Sequence, residues 1–157
     1  MARPIKQGLD YFPLDVSFFE DIKVRRIRKD CGNQAIPILI SMLCSIYRDE
    51  GYYVGFNSDL TFLMAEQFGV SEGAVADIVQ KAVSVAFFDE HMFHTHSILT
   101  SKGIQKRFFE AVTRRKEVFY DATFMLISVN DYNNLVNVDN NSINDCVWQA
   151  GFPQSGN

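Results

Sequence analysis

Asn57-Ser58-Asp59-Leu60-Thr61-Phe62-Leu63-Met64-Ala65-Glu66-Gln67-Phe68-Gly69-Val70-Ser71-Glu72 opens the stretch that decides the fold. Leu60, Leu63, Met64 and Phe68 recur at helical spacing, Ser58 or Asp59 is placed to cap the first turn, and Gly69 supplies the left-handed residue on which helices end. Val70 plugs the turn. Ser71-Glu72 then starts a second helix whose apolar stripe is Val75, Ile78, Val79, Ala82 and Val83. Two helices joined by so short a turn must cross steeply, which is helix-turn-helix geometry. Beyond them, Phe87-Phe88-Asp89 and the run from Met92 to Leu99 predict the two strands of a hairpin with Glu90-His91 near its tip. Gly51-Tyr52-Tyr53-Val54-Gly55-Phe56 reads as a short strand able to join them. The expected fold is mainly α (α+β): a winged helix-turn-helix with a small antiparallel β-hairpin or three-stranded sheet.

Upstream, Gly8 to Asp15 is extended because Pro13 disfavours helix at Phe12. Asp15 or Ser17 is placed to cap a first helix, with Val16, Phe19, Val24 and Ile27 inward, that ends at Cys31-Gly32-Asn33. The helix from Gln34 to about Asp49 is apolar on most sides, which predicts a central, buried element, and Pro37 is tolerated near its first turn. Downstream, Ser101 to about Glu117 is helical, with Ile104, Phe108, Ala111 and Val112 inward. An aromatic cluster drawn from Phe62, Phe68, Phe87, Phe88, Phe93 and Phe108 is expected to hold the region together. Residues 1–120 form the expected winged-helix domain, and residues 121–157 an Asn-rich, acidic tail or linker, partly disordered, although Val136 and Val138 alternate as a strand would.

The charge is divided along the chain. Up to Lys116 there are 15 Lys and Arg against 14 Asp and Glu, and beyond it five acidic residues and no Lys or Arg. The cations cluster at Lys23, Arg25, Arg26, Arg28 and Lys29, and again at Lys102, Lys106, Arg107, Arg114, Arg115 and Lys116. Attraction decays over about 8–10 Å at ordinary salt, so local clustering suffices to hold a phosphate backbone on an acidic protein. Taken alone, the 23–29 run reads first as a solvated helix face, and it is the combination with the second cluster that favours a phosphate partner.

Other chemistry finds little support. His94 and His96, two apart on the expected strand, would face the same way, but lack a third ligand nearby in sequence, so a polar wing is the better reading and no metal is expected. Cys31, Cys44 and Cys146 are widely spaced without a CxxC pair and read as reduced thiols, with Cys44 in the core. Gly51 to Gly55 lacks the Lys and Ser/Thr of a phosphate-binding loop, and no nucleophile–base arrangement stands out. The stretch from Ala35 to Tyr47 is too short and interrupted for a membrane span, and the first residues lead into a polar segment rather than a signal peptide. A cytoplasmic, non-enzymatic protein without cofactor or small-molecule substrate is expected.

Gly8-Leu9-Asp10-Tyr11-Phe12-Pro13-Leu14-Asp15, Ile46-Tyr47-Arg48 followed by Gly51-Tyr52-Tyr53, Phe87-Phe88-Asp89, the run Ile98 to Arg107, and Arg114-Arg115-Lys116 together resemble an N-terminal domain of phage and prophage proteins. That domain is described as similar to DnaD-like replisome-organiser and replication-initiation proteins. The resemblance covers about residues 3–120. It implies a winged helix linked to DNA replication or mobile-element maintenance and supplies no catalytic residue. The expected function is DNA association through backbone phosphates at the cations named above, with a homo-oligomer or replication protein as a further partner. The alternative is an assembly module that uses the apolar surface of residues 74–85. In the second helix, only Gln80 and Lys81 are of a type that reads bases, set against Glu72 and Asp77, which argues against sequence-specific reading.

Overall fold

The helix-turn-helix forms where its punctuation predicts, in a computed structural model that describes residues 6–138. α3 (Ser58–Phe68) ends at Gly69, whose φ of 65° is the left-handed turn, and α4 (Glu72–Ser84) is capped by Ser71, which accepts from the Ala74 N–H. The first cap differs from expectation: the Asn57 side chain, one residue earlier than Ser58, accepts from the Leu60 N–H. All five stripe residues of α4 are buried. On α3 the buried set is Leu60, Met64 and Ala65, while Phe62 and Leu63 face outward, so Phe62 drops out of the expected aromatic cluster.

α1 (Ile22–Cys31) starts later than expected. A single 3-10 turn, Phe18–Glu20, precedes it, and Asp21, extended at ψ 125°, caps the helix in place of Asp15 or Ser17. That break resets the helical phase. Phe18 is buried, whereas Val16 and Phe19, expected inward, are exposed; Val24 and Ile27 are buried as expected. α2 (Ala35–Arg48) buries Ala35, Ile38, Leu39, Met42, Leu43, Ile46 and Tyr47. Pro37, Ser41, Cys44 and Arg48, at helical spacing, form its outward face, so Cys44 is exposed rather than in the core. Burial pushes the Cys31 thiol up, helped by the Asp30 and Asp77 carboxylates. In a Cys146→Ser background, since Cys146 lies outside the described residues, iodoacetamide should therefore alkylate Cys44 well before Cys31. Equal rates by mass spectrometry would place Cys44 differently.

The expected hairpin does not form. Glu90–His96 is helix α5, capped by Asp89, which accepts from the Met92 N–H, and ended by Ser97 at φ 53°. Helix wins because Met92 and Phe93 are adjacent and both buried, which a strand would send to opposite sides. What remains of the sheet is an antiparallel pair, β1 (Val54–Gly55) with β2 (Ile98–Leu99), in register Val54 to Leu99 and Gly55 to Ile98. The Asp89 N–H donates to the Thr100 carbonyl at 2.8 Å and closes the base of the α5 excursion. The three-stranded sheet is thus replaced by two strands and a short helix, giving a mainly helical α+β fold.

α6 (Lys102–Ala111) is shorter than the predicted helix, and Ala111 faces solvent. Its inner face is Ile104, Gln105, Phe108 and Phe109. Gln105 is fully buried, and each of its polar groups is used. Its amide nitrogen donates to Thr100 Oγ1 at 3.0 Å and to the Phe124 carbonyl at 2.7 Å, and its oxygen accepts from the Leu126 N–H at 2.7 Å. Thr100 in turn donates to the Tyr52 carbonyl, and the Asp121 N–H donates to the Tyr52 hydroxyl. These bonds fasten residues past 120 to the body. β3 (Val118–Tyr120) pairs in parallel with β4 (Leu135–Asn137), and Phe124 is buried. The expected boundary at residue 120 falls inside this packed region, while residues 139–157 of the expected tail lie outside the described residues. No helix among the described residues is long and apolar enough to cross a membrane.

Candidate nucleic-acid interface

α1 packs on α4 and α2 through Val24 and Ile27, which turns its cations outward. Five of its ten residues are Lys or Arg, against one carboxylate, Asp30. Arg26, Arg28 and Lys29 are exposed and have no hydrogen-bonded or ion-paired partner among the described residues. Arg25 and Lys23 are partly engaged: Arg25 Nε donates to the Phe19 carbonyl at 3.2 Å, and Lys23 Nζ to the Ala86 carbonyl at 3.3 Å. Arg28 and Lys29 also lie in the last turn, where cations suit the helix dipole.

The second cationic group divides. Lys102 and Lys106 are exposed one turn apart on α6, and the next position of that stripe is Glu110. Arg107 is half-buried and pairs with Asp15 at 2.5 Å. Arg114, Arg115 and Lys116 lie past the end of α6, in a turn rather than on the predicted helix. Arg114 and Lys116 are exposed. Arg115 is structural: its guanidinium donates to the carbonyls of Lys6, Gln7 and Gly8 at 2.7, 2.8 and 2.7 Å. Asn134 donates to the carbonyls of Val112 and Arg115 and holds the same turn from the other side. Nothing in the sequence distinguished Arg115 from its neighbours, because its acceptors are backbone groups more than a hundred residues away.

The second helix of the pair offers little to a base edge. Lys81 is drawn back to Asp30 of α1 at 2.5 Å, and its ammonium holds the Asp30 carboxyl below the usual range. Gln80 is exposed among Glu72, Gly73, Asp77 and Ser84. His91, His94 and His96 ride on α5, where residues two apart diverge by about 200°, so His94 and His96 do not share a face. No group of three His, Cys, Asp or Glu among the described residues is placed to hold a metal ion.

Residues 11–104 match the family described as Lin1244/Lin1753-like, N-terminal. The chain belongs to this family. Within the matched segment of this Lin1244/Lin1753-like domain lie α1, the helix-turn-helix and Lys102; Lys106, Arg107 and the 114–116 turn lie beyond it. The uncharacterized phage-related protein Lin1244/Lin1753 of Listeria innocua is 34% identical over 152 residues, covering 92% of this chain and 50% of that protein. The chain thus spans about half the length of the curated relative it matches. No solved structure matches it.

Proposed function

We propose that this is a non-enzymatic, DNA-associated module of a phage or prophage replication-type protein that grips backbone phosphates through the outer face of α1. The observation that carries this reading is the exposed trio Arg26, Arg28 and Lys29, without partners among the described residues, on a helix whose other face is anchored in the core. The fold is read as a winged-helix derivative of the DnaD-like kind: β1, α3, α4 and β2 keep that order, and α5 stands where the wing would be. Because Lys81 is spent on Asp30, binding is weakly sequence-dependent.

Binding to duplex DNA should therefore fall steeply with salt, each lost phosphate contact lowering the log–log slope by about 0.9. Charge reversal at Arg26 and Arg28 should weaken binding to all sequences alike, Arg114→Glu should have a smaller effect, and Lys81→Ala or Gln80→Ala little. Absence of binding at low salt would sink the proposal, as would loss of binding in Lys81→Ala with Arg26 and Arg28 variants silent.

A second reading, self-association or docking on a replication protein, has its own observation. Tyr11, Val16, Phe19 and Ile22 are all more than half exposed along one short segment, an unusual display of large apolar side chains. The surface first expected to serve, residues 74–85, is not available, because Val75, Ile78, Val79, Ala82 and Val83 are already core against α1 and α3. Under this reading, Val16→Asp with Phe19→Asp should reduce the oligomer measured by light scattering and leave DNA binding intact.

A further inference from the structure

Between the leading segment, the start of α1 and the start of α6 lies a cleft of about 630 Å³, walled in part by Phe12, Phe18, Phe87, Lys23, Lys102 and Arg107. That is the size of a small-molecule site. Tyr47 also lines it, 2% exposed, with its ring stacked on Phe12 at 4.6 Å. Its hydroxyl is buried and has no hydrogen-bond partner among the described residues. Natural structures rarely leave such a group unmet, and one that is unmet calls for a ligand or another account. Tyr47 and Arg107 line the same cleft, and Arg107 is paired there with Asp15; burial raises the Tyr47 hydroxyl's pKa, and the Arg107 guanidinium acts in the opposite sense. At the same wall α6 begins. Ser101 caps the Ile104 N–H, and the N–H groups of Lys102 and Gly103 have no intrahelical acceptor.

We infer that this cleft binds the phosphate of a nucleoside-monophosphate-type ligand. Tyr47, Arg107, Lys102 and the first N–H groups of α6 face the phosphate oxygens, and the aromatic wall of Phe12, Phe18 and Phe87 faces the ring. A phosphate suits this set because it offers several acceptor oxygens to donors of both charged and neutral kinds at a helix N-terminus. The cleft also has four carboxylates on its border, and they set its terms. Asp21 and Asp89 are engaged as helix caps, and Glu90 lies 3.8 Å from His94. Asp15 is the direct competitor, since it holds the guanidinium that the phosphate would take. The site goes beyond the α1 phosphate grip and does not need it. A free nucleotide and the terminal phosphate of a DNA strand present the same chemistry, and the test separates them.

The full chain is titrated calorimetrically with inorganic phosphate, thymidine 5′-monophosphate, and a short DNA strand with and without a 5′-phosphate. The monophosphate should bind more tightly than inorganic phosphate. Tyr47→Phe should weaken it about tenfold, the scale of one hydrogen bond to a charged group, with a melting temperature no lower than that of the wild type, since a buried hydroxyl without a geometric partner costs the fold its desolvation. Asp15→Asn should tighten binding by releasing Arg107, and Lys102→Gln should weaken it. If the strand is the source, its 5′-phosphate should add affinity that Tyr47→Phe removes; if the free nucleotide is, the 5′-phosphate should add none. Failure of every probe to bind at millimolar concentration overturns the inference, as does wild-type affinity in both Tyr47→Phe and Lys102→Gln, or weaker binding in Asp15→Asn. Equal affinity for inorganic phosphate overturns the role given to the aromatic wall. Should Tyr47→Phe fold poorly, Lys102→Gln and Asp15→Asn decide the matter.

Discussion

Phe108→Ala should destabilise the protein by about 3–5 kcal/mol, a large share of the 5–15 kcal/mol on which a domain of ordinary stability depends. Phe108 is fully buried on α6, edge-on to Phe109 at 5.0 Å and within 6.2 Å of Tyr52. It also fixes the chain's turn out of α2. Gly51, at φ 93°, lies so close to this ring that an added Cβ would stand 2.0 Å from Phe108 Cε1. Truncating Phe108 thus opens a cavity that the rigid turn cannot fill, whereas Gly51→Ala adds atoms where the ring already is, on a backbone that L residues avoid. Phe62→Ala, at a half-exposed position, should by contrast change stability by well under about 1 kcal/mol. Chemical denaturation of the three variants checks this order. An unaffected midpoint in Phe108→Ala would mean that the core is not built around α6.

Arg115→Ala should follow at about 3 kcal/mol, while Arg114→Ala beside it should be nearly silent. The difference lies in what each touches. Arg115 satisfies the carbonyls of Lys6, Gln7 and Gly8 with a charged donor fork, and Arg114 is exposed. Gly8 is itself held against the end of α2, where a Cβ would fall 1.8 Å from the Arg48 carbonyl oxygen, and Leu9 N–H donates to the Tyr47 carbonyl at 2.7 Å. Losing the fork frees this segment, and with it the floor of the cleft at Tyr47. A shift in melting temperature of roughly 6–12 °C is expected for Arg115→Ala, scaling from 2–4 °C per kcal/mol in a chain of this length. Equal shifts for the two arginines would show that the fork is not made in solution. A DNA-binding experiment that reverses both arginines together would confuse unfolding with lost contact, so the α1 cations are the cleaner probes.

Several features were legible in the sequence because they depend on residues close together in the chain. Gly69 between two apolar stripes fixed the helix-turn-helix, and the periodicity of Val75, Ile78, Val79, Ala82 and Val83 named a buried face without error. The clustering of cations at 23–29 was likewise visible. Where short alternation and helical spacing coincided, the local reading failed. Residues 90–96 satisfy both periods, and the choice fell to Asp89 as a cap and to burial of the neighbours Met92 and Phe93.

What only the tertiary structure decided are the pairings between distant segments. The cations at Arg26 and Arg115 look alike in sequence, yet one is exposed and the other is spent on backbone carbonyls at the opposite end of the chain. Lys81 is paired with Asp30 on a different helix, and Gln105, a residue type expected at the surface, is buried because Thr100, Phe124 and Leu126 together meet its hydrogen bonds. Local periodicity reports how a segment is amphipathic. It carries no record of which remote carbonyl, carboxylate or helix end will lie within 3 Å of a polar side chain, and that proximity decides whether a charge serves the fold or a partner.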